Sequence, residues 1–246
     1  MTSPRLDRFI DIHSHILPGL DDGPADLAGS LAIARCYQAV GVRKIVATPH
    51  FLPGTAWAPS TDKVLANVAE VQAALHQANI DLELVAGMEI AYHRKLEERI
   101  LGGTVLPLGN SATYLIEPSF QGEQDGLLST LDALLQRGVK LILAHPERAD
   151  AFQREPHMLE PLVSQGLQLQ VNSGSLLGYF GQKSRDTAEQ LRQSGSIHFI
   201  ASDAHDHARR CPLSATEWQS LLADRGHQEL LARVQSNLNG FFANSA

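Results

Sequence analysis

The chain has 246 residues, of which 43% are hydrophobic and 19% are charged, and its formal net charge is −7. This length is enough for a sizeable core, and α/β barrels routinely use it as a single domain, so we expect residues 1–246 to form one domain. The acidic balance disfavours nucleic acid and anionic membranes as partners, because both favour a basic protein surface.

The two cysteines, Cys36 and Cys211, are far apart in sequence and do not form a disulfide framework, which fits a reducing cytosol. Residues 1–5 lead to the first predicted strand without the apolar core of a signal peptide. Apolar runs are all shorter than the roughly 18 residues that a membrane span requires. We therefore expect a cytoplasmic protein without stable insertion into a membrane.

Short apolar runs alternate with helical patterns along the whole chain. The predicted strands cover residues 9–12, 44–47, 81–85, 113–116, 140–144, 167–171 and 198–201. The predicted helices cover residues 25–40, 62–79, 94–101, 125–136, 156–165, 185–194, 214–224 and 227–238. Seven βα units predict an α/β fold with a parallel sheet, either a barrel closed or nearly closed by seven strands or an open doubly wound sheet. A nucleotide-binding version of the open sheet is disfavoured, because no Gly-x-Gly-x-x-Gly or Walker loop follows a strand.

Six of the seven predicted strands end in residue types that bind metal ions. His13 and His15 lie two residues apart, so both imidazoles face one side of an extended chain. The carboxyl ends of strands in a parallel barrel meet at one mouth, where active sites are found. The candidate metal ligands are His13, His15, Asp22, His50, Glu89, Glu117, His145, Asp203 and His205.

Nine candidate ligands are too many for a single ion, since one Zn²⁺ normally takes four. The set therefore predicts two or three ions with bridging carboxylates. Imidazole and carboxylate without thiolate fit Mn²⁺, Fe or Zn²⁺ better than copper or a sulfur cluster. Such a cluster generates hydroxide near neutral pH and clamps both the attacking and the leaving oxygen.

Two arginines follow these strand ends closely. Arg148 lies three residues after His145, and Arg210 lies five after His205, with Arg209 an equally possible choice. The guanidinium fork suits phosphate oxygens, so the combination favours phosphoester hydrolysis over peptide or amide cleavage. Cysteine phosphatases need Cys-x5-Arg, and neither cysteine has an arginine at that spacing.

Several motifs in order along about 200 residues resemble the polymerase and histidinol phosphatase (PHP) superfamily. Within it, the chain looks most like the metal-dependent protein-tyrosine phosphatases of bacterial capsule and exopolysaccharide loci. The motifs are Asp-Ile-His-Ser-His at 11–15, Asp-Asp-Gly at 21–23, Thr-Pro-His at 48–50, Gly-Met-Glu-Ile at 87–90, His-Pro-Glu-Arg at 145–148, Val-Asn-Ser-Gly-Ser at 171–175 and Ser-Asp-Ala-His at 202–205. The loop at residues 53–60 looks specific to this chain and bears on substrate choice.

This resemblance implies a distorted seven-stranded (β/α)7 TIM-like barrel with a trinuclear site that is often loaded with manganese. It implies one ion on His13, His15, Glu117 and Asp203, a second on Glu89, Glu117 and His145, and a third on Asp22, His50 and His205. Glu117 would bridge the first two ions, and Arg148 and Arg210 would bind phosphate. The implied substrate is the phosphotyrosine-rich tail of a cognate bacterial tyrosine kinase.

We therefore expect a metal-dependent protein-tyrosine phosphatase in which metal-bound hydroxide attacks phosphorus in line. Arg148 and Arg210 would stabilise the equatorial oxygens, and His205 is a candidate to assist departure of the phenolate. The alternatives are a PHP phosphatase acting on a small phosphomonoester such as histidinol phosphate, a metal-dependent amidohydrolase, and a catalytically idle partner of a kinase. The amidohydrolase is disfavoured because many of these enzymes use a strand-end lysine, which the predicted strands lack.

Overall fold

A computed structural model describes residue 6 and residues 9–243, so the expectation for residues 1–5 lies outside the described residues. The strands begin close to the predicted positions, but the second and third predicted strands are each followed, after two residues, by a further short strand. The described strands are β1 Ile10–Ser14, β2 Lys44–Ala47, β3 His50–Phe51, β4 Glu83–Ala86, β5 Glu89–Ala91, β6 Thr113–Glu117, β7 Lys140–Ala144, β8 Gln168–Asn172 and β9 Ile197–Ala201.

The described helices are α1 Leu27–Val40, α2 Thr61–Gln77, α3 Leu96–Leu101, α4 Asp125–Gln136, α5 Asp150–Arg154, α6 Glu160–Ser164, α7 Ser173–Leu176, α8 Gln182–Gln193, α9 Ala215–Leu221 and α10 Arg225–Ala243. Helix α1 begins at Leu27 because the Asp26 side chain accepts a hydrogen bond from the Gly29 N–H and caps the helix. The helix predicted over 156–165 is present as two consecutive parts, a 3-10 helix at Pro156–Leu159 and the α-helix α6. The short helices α5 and α7 were not predicted.

All strand pairs are parallel, which confirms the predicted α/β class. Within residues 9–243 the strands form a three-stranded sheet, β1-β2-β4, and a six-stranded sheet, β3-β5-β6-β7-β8-β9. This pairing does not confirm a closed seven-stranded barrel. The sheet is interrupted between β2 and β3, where Pro49 has no N–H to donate to a neighbouring strand. An isolated bridge between Ser14 and Ala204 brings the end of β1 beside the chain that follows β9.

The core lies between the strands and the helices that pack against them. Leu115 on β6, Ile142 on β7 and Leu169 on β8 are fully buried, and α4 packs Leu127 and Leu131 against the sheet. Within the described residues, no helix combines the length and the apolar character needed to cross a bilayer. Most of the buried polar side chains, in contrast, lie near the carboxyl ends of the strands, where they form the site described next.

Candidate metal centre

The structure brings all nine predicted ligands together at the carboxyl ends of the strands. They form four overlapping groups, and within each group one donor atom per residue lies within 4.8 Å of the others. The groups are His15, Asp22, His50 and His205; His13, His145 and Asp203; His13, His15 and Glu89; and His50, Glu89 and Glu117. The cluster is therefore continuous, since each group shares at least one residue with another.

His13 and His15 face each other at the buried end of the cluster. Their Nε2 atoms are 3.2 Å apart, and Asp203 Oδ1 lies 3.5 Å from the first and 3.4 Å from the second. Two ligands about 2.1 Å from one ion are separated by about 3.0–3.4 Å at octahedral or tetrahedral angles. The observed separations are close to those of ligands that share an ion.

Glu89 lies at the centre of the cluster and contacts four imidazoles. Its Oε1 is 2.8 Å from His145 Nε2 and 3.3 Å from His13 Nε2. Its Oε2 is 2.8 Å from His50 Nδ1 and 3.3 Å from His15 Nε2. Each oxygen therefore faces a different pair of rings, as a carboxylate that bridges two ions would.

The outer side of the cluster, formed by Asp22 and His50, is more exposed than the side formed by His13 and Glu89. Asp22 is 36% exposed and His50 is 13% exposed, whereas His13 and Glu89 are fully buried. Asp22 Oδ1 lies 3.1 Å from His205 Nε2 and 3.5 Å from His50 Nε2. The cluster is therefore open to solvent on the side of Asp22 and His50.

The charges of the cluster shift the pKa values of its members strongly. Burial and the nearby charge of Glu89 raise the pKa of Glu117 to about 8. Burial would lower the pKa of His50, but the charges of Glu89 and Glu117 raise it to about 9. Burial opposes ionisation of Asp22, yet its hydrogen bond with His205 lowers the Asp22 pKa to about 2. Burial lowers the pKa of His145 to about 4, which keeps this imidazole neutral, as a metal ligand must be.

Backbone strain occurs at two of these positions. His145 has φ 29° and Asp203 has φ 55°, values that residues with a side chain rarely adopt. His145 directly follows the end of β7, and Asp203 lies two residues after the end of β9. Strained conformations of this kind persist where the surrounding structure enforces them, commonly at functional sites.

Two arginines meet the cluster at Asp203. Its Oδ2 accepts hydrogen bonds from Arg148 Nη1 at 2.7 Å and Arg210 Nη2 at 2.9 Å, while Oδ1 faces the imidazoles. The guanidinium of Arg148 is held between the rings of Phe120 and Phe180, with centroids 4.7 and 4.4 Å from its Cζ. The structure thus places Arg210 at the cluster, whereas the neighbouring arginine, Arg209, is exposed.

The family model for capsular polysaccharide synthesis proteins, CpsB/CapC, matches residues 9–236. The chain belongs to the CpsB/CapC family. That match spans every residue of the cluster and both arginines.

Relatives and solved structures of the CpsB/CapC family align over most of the chain. Tyrosine-protein phosphatase YwqE of Bacillus subtilis is 34% identical over 198 residues, covering 80% of this chain and 78% of the relative. Tyrosine-protein phosphatase CpsB of Streptococcus agalactiae is 28% identical over 243 residues, covering 95% of this chain and all of the relative. One structure comes from a crystallographic study of B. subtilis YwqE and Streptococcus pneumoniae CpsB, described there as unique metal-dependent tyrosine phosphatases. It matches with a TM-score of 0.89 at 31% identity, over 97% of this chain and 96% of that chain.

The donor set of this CpsB/CapC protein fits metal ions. Glu89, Glu117 and Asp203 approach one another closely enough that the charges of the other two raise the Glu117 pKa. Bound cations would offset this repulsion, and the imidazole and carboxylate donors are ligands that Mn²⁺, Fe and Zn²⁺ accept.

Sequence reasoning missed the side chains that orient these ligands. The Nδ1–H of His15 donates to Asp21 Oδ2 at 2.7 Å, and that of His13 donates to Gln170 Oε1 at 2.9 Å. Both bonds turn the Nε2 atoms toward the cluster, as partners behind metal-binding histidines do. Gln170 Nε2 donates to Asn172 Oδ1, and Asn172 Nδ2 donates to Asp203 Oδ2. The alternation of Gln170 and Asn172 on one face of β8 was the available sequence signal.

Glu147 is a further buried carboxyl that the sequence did not single out. It accepts hydrogen bonds from Ser175 Oγ at 2.6 Å and the Asn172 N–H at 3.0 Å. Burial raises its pKa to about 7. Glu147 joins the end of β7 to the end of β8, so it supports the loop that carries His145 and Arg148.

The two thiols do not offer a nucleophile. Cys36 Sγ donates to the Ala32 carbonyl within α1, and Cys211 Sγ donates to the Ala208 carbonyl. Burial raises the pKa of both thiols, which disfavours the reactive thiolate.

Proposed function

We propose that this chain is a metal-dependent protein-tyrosine phosphatase. The observation that carries the proposal is Asp203, which presents one oxygen to His13 and His15 and the other to Arg148 and Arg210. This carboxylate joins a polynuclear donor set to two phosphate-binding groups. The names of the CpsB/CapC relatives support phosphotyrosine as the substrate over histidinol phosphate.

The nine clustered residues would hold two or three ions, with Mn²⁺ as our first choice and Fe or Zn²⁺ as alternatives. Such ions, when bound, lower the pKa of a coordinated water and polarise phosphoryl oxygens. The resemblance gives the bridging role to Glu117, but the contacts of Glu89 with four imidazoles support Glu89 as the shared carboxylate.

Arg148 and Arg210 would bind the phosphoryl oxygens. Each guanidinium carries five N–H donors and uses only some of them on carboxylates, so donors remain for a phosphate. The transition state of phosphoryl transfer spreads negative charge over three equatorial oxygens, which is the charge that two arginines stabilise. His205 lies beside Asp22 at the open side and remains our candidate to assist the leaving phenolate.

The physiological substrate that we propose is phosphotyrosine on a protein, namely the tail of a cognate bacterial tyrosine kinase that controls capsule or exopolysaccharide production. The family's link to capsular polysaccharide synthesis supports this choice. A kinase tail of this kind would be met in the cytoplasm, which we propose as the compartment.

We also propose that residues 1–246 are one domain and that its two sheets together make a distorted seven-stranded barrel. Chain continuity from β2 into β3 and from β4 into β5 supports this arrangement, since each pair then counts as one strand. The bridge between Ser14 and Ala204 supports closure on the other side. The family match over residues 9–236 supports a single domain.

A phosphate-release assay tests the function. The Mn²⁺-supplemented protein is given a phosphotyrosine peptide, a phosphoserine peptide and histidinol phosphate, each with and without a chelator. We expect release from phosphotyrosine that the chelator abolishes and that added Mn²⁺ restores. Release from none of the three would refute the phosphatase proposal, and preference for histidinol phosphate would refute the choice of substrate.

A further inference from the structure

The described residues include five large apolar side chains that are exposed: Trp57, Leu65, Leu101, Phe120 and Tyr179. The two leucines lie on helices α2 and α3. The three aromatic residues instead follow β3, β6 and the short helix after β8, so they rise from the same edge of the sheets as the cluster. Exposed aromatic side chains beside a polar pocket are typical of a ligand-binding surface.

Trp57 lies directly against the cluster. Its indole is nearly parallel to the ring of His50, with an interplanar angle of 10° and centroids 5.6 Å apart. The other tryptophan, Trp218, is 4% exposed and packs against Phe9, away from the cluster. Trp57 as a residue is 37% exposed, so part of its surface remains open to a ligand.

Local hydrogen bonds hold the loop that carries Trp57. The Leu52 N–H donates to the Trp57 carbonyl at 2.6 Å, and Thr55 Oγ1 donates to the Leu52 carbonyl at 2.8 Å. The Trp57 N–H donates to Thr55 Oγ1 at 3.0 Å, and Gly54 provides the turn with φ 86°. The indole therefore sits on a preformed loop and needs little ordering when a ligand arrives.

Trp57 also lies on the side from which a substrate enters. His50, against which it stacks, belongs to the more exposed outer group with Asp22, whereas His13 is fully buried. A phosphate bound between the cluster and the arginines must direct its ester group outward, through this open side. The phenyl ring of phosphotyrosine extends farther from the phosphate than the side chain of phosphoserine, and it offers an aromatic face that phosphoserine lacks.

Resting on the proposed function, we propose that Trp57 is a specificity-determining residue that packs against the phenyl ring of phosphotyrosine. Aromatic pairs prefer offset-stacked or edge-to-face contacts, and a tryptophan offers the largest surface for them. Trp57 thereby selects aryl over alkyl phosphates by binding the leaving group, while the cluster and the arginines bind the phosphate that both classes share.

Phenylphosphonate and methylphosphonate test this role without any leaving-group chemistry, because neither is hydrolysed. Their inhibition constants are measured against phosphotyrosine-peptide hydrolysis by the Mn²⁺-supplemented protein, and their binding is followed by tryptophan fluorescence. Trp57→Ala should raise the inhibition constant of phenylphosphonate about two- to tenfold relative to that of methylphosphonate, the range expected for one aromatic pair. Trp57→Phe should keep most of the preference, and Leu65→Ala, at an exposed leucine of nearby α2, should leave it unchanged.

In the unchanged protein, phenylphosphonate should alter the fluorescence more than methylphosphonate does, and the change should come from Trp57 because Trp218 is buried elsewhere. Suppose that Trp57→Ala weakens the binding of both phosphonates equally while the unchanged protein still hydrolyses phosphotyrosine. This result would overturn the role of Trp57 but not the proposed function. Failure of the unchanged protein to hydrolyse phosphotyrosine at all would overturn the proposed function and this inference together.

Discussion

Replacing Gln170 with methionine tests how strand β8 supports the cluster. Methionine has a similar volume but offers neither the acceptor that His13 Nδ1–H uses at 2.9 Å nor the donor that Asn172 Oδ1 uses at 2.8 Å. Gln170 is fully buried, so no bulk water replaces these bonds at the surface. His13 then loses the partner that directs its Nε2 toward the other candidate ligands.

The expected effect is a loss of metal affinity. Removing a partner behind a metal-binding histidine typically weakens metal affinity or activity about 10- to 100-fold. Two buried polar groups are also left unpaired, each at a cost of about 1–3 kcal/mol, so the melting temperature should fall as well. Excess Mn²⁺ should restore much of the lost activity, because His13 itself is still present.

Calorimetric titration of Mn²⁺ into the metal-free protein measures the affinity, and thermal denaturation measures the stability. Gln168→Met is the matched control, since Gln168 lies on the same strand but lines a cavity with Thr113 and Lys140 at the amino ends of the strands. This control should bind Mn²⁺ like the unchanged protein. Unchanged Mn²⁺ affinity in Gln170→Met would refute the supporting role of Gln170.

Three further predictions concern the arginines, the thiols and one helix cap. Arg148→Ala should lower kcat about 10²–10³-fold, as loss of one preorganised donor to a transition-state oxyanion does, and steady-state kinetics on a phosphotyrosine peptide at saturating Mn²⁺ will measure it. The double variant Cys36→Ser, Cys211→Ser should keep full chelator-sensitive activity, and loss of turnover would instead support a thiol mechanism. Ser214→Ala removes the capping box that Ser214 forms with Glu217 at the start of α9. It should lower the free energy of unfolding by about 1 kcal/mol in urea denaturation, with kcat unchanged.

The candidate ligands could be predicted because parallel strands place residues from distant parts of the chain at the same edge of a sheet. His50 and Asp203 lie far apart in sequence, but each follows a predicted strand, and the carboxyl ends of parallel strands meet at one edge. The same reasoning could not decide whether Arg209 or Arg210 lies at the cluster. The choice depends on the hydrogen bond from Arg210 to Asp203, which forms across a loop without a repeating pattern.

The supporting side chains were beyond sequence reasoning for a different reason. The sequence around Gln170 indicates a strand but not a contact with His13, which lies 157 positions away along the chain. Asp21 and Asp22 are adjacent carboxylates in one turn, yet Asp21 orients His15 while Asp22 faces His205. The sequence analysis names Asp22 as a candidate ligand, but the role of Asp21 behind His15 depends on the direction of its side chain, which the sequence does not show. The break between β2 and β3 also could not be predicted. It depends on where Pro49, which has no N–H to donate, lies relative to a neighbouring strand.

Asp203 explains why metal binding and phosphate binding should depend on each other. Its Oδ1 faces His13 and His15, and its Oδ2 accepts hydrogen bonds from Arg148, Arg210 and Asn172. A cation held with the help of this carboxylate would offset the negative charge of the cluster, while the same carboxylate positions the two guanidinium groups. Removing this carboxylate should therefore weaken the binding of metal and of phosphate together. One strained residue, two positions after the end of β9, thus links the candidate metal ligands to the two arginines.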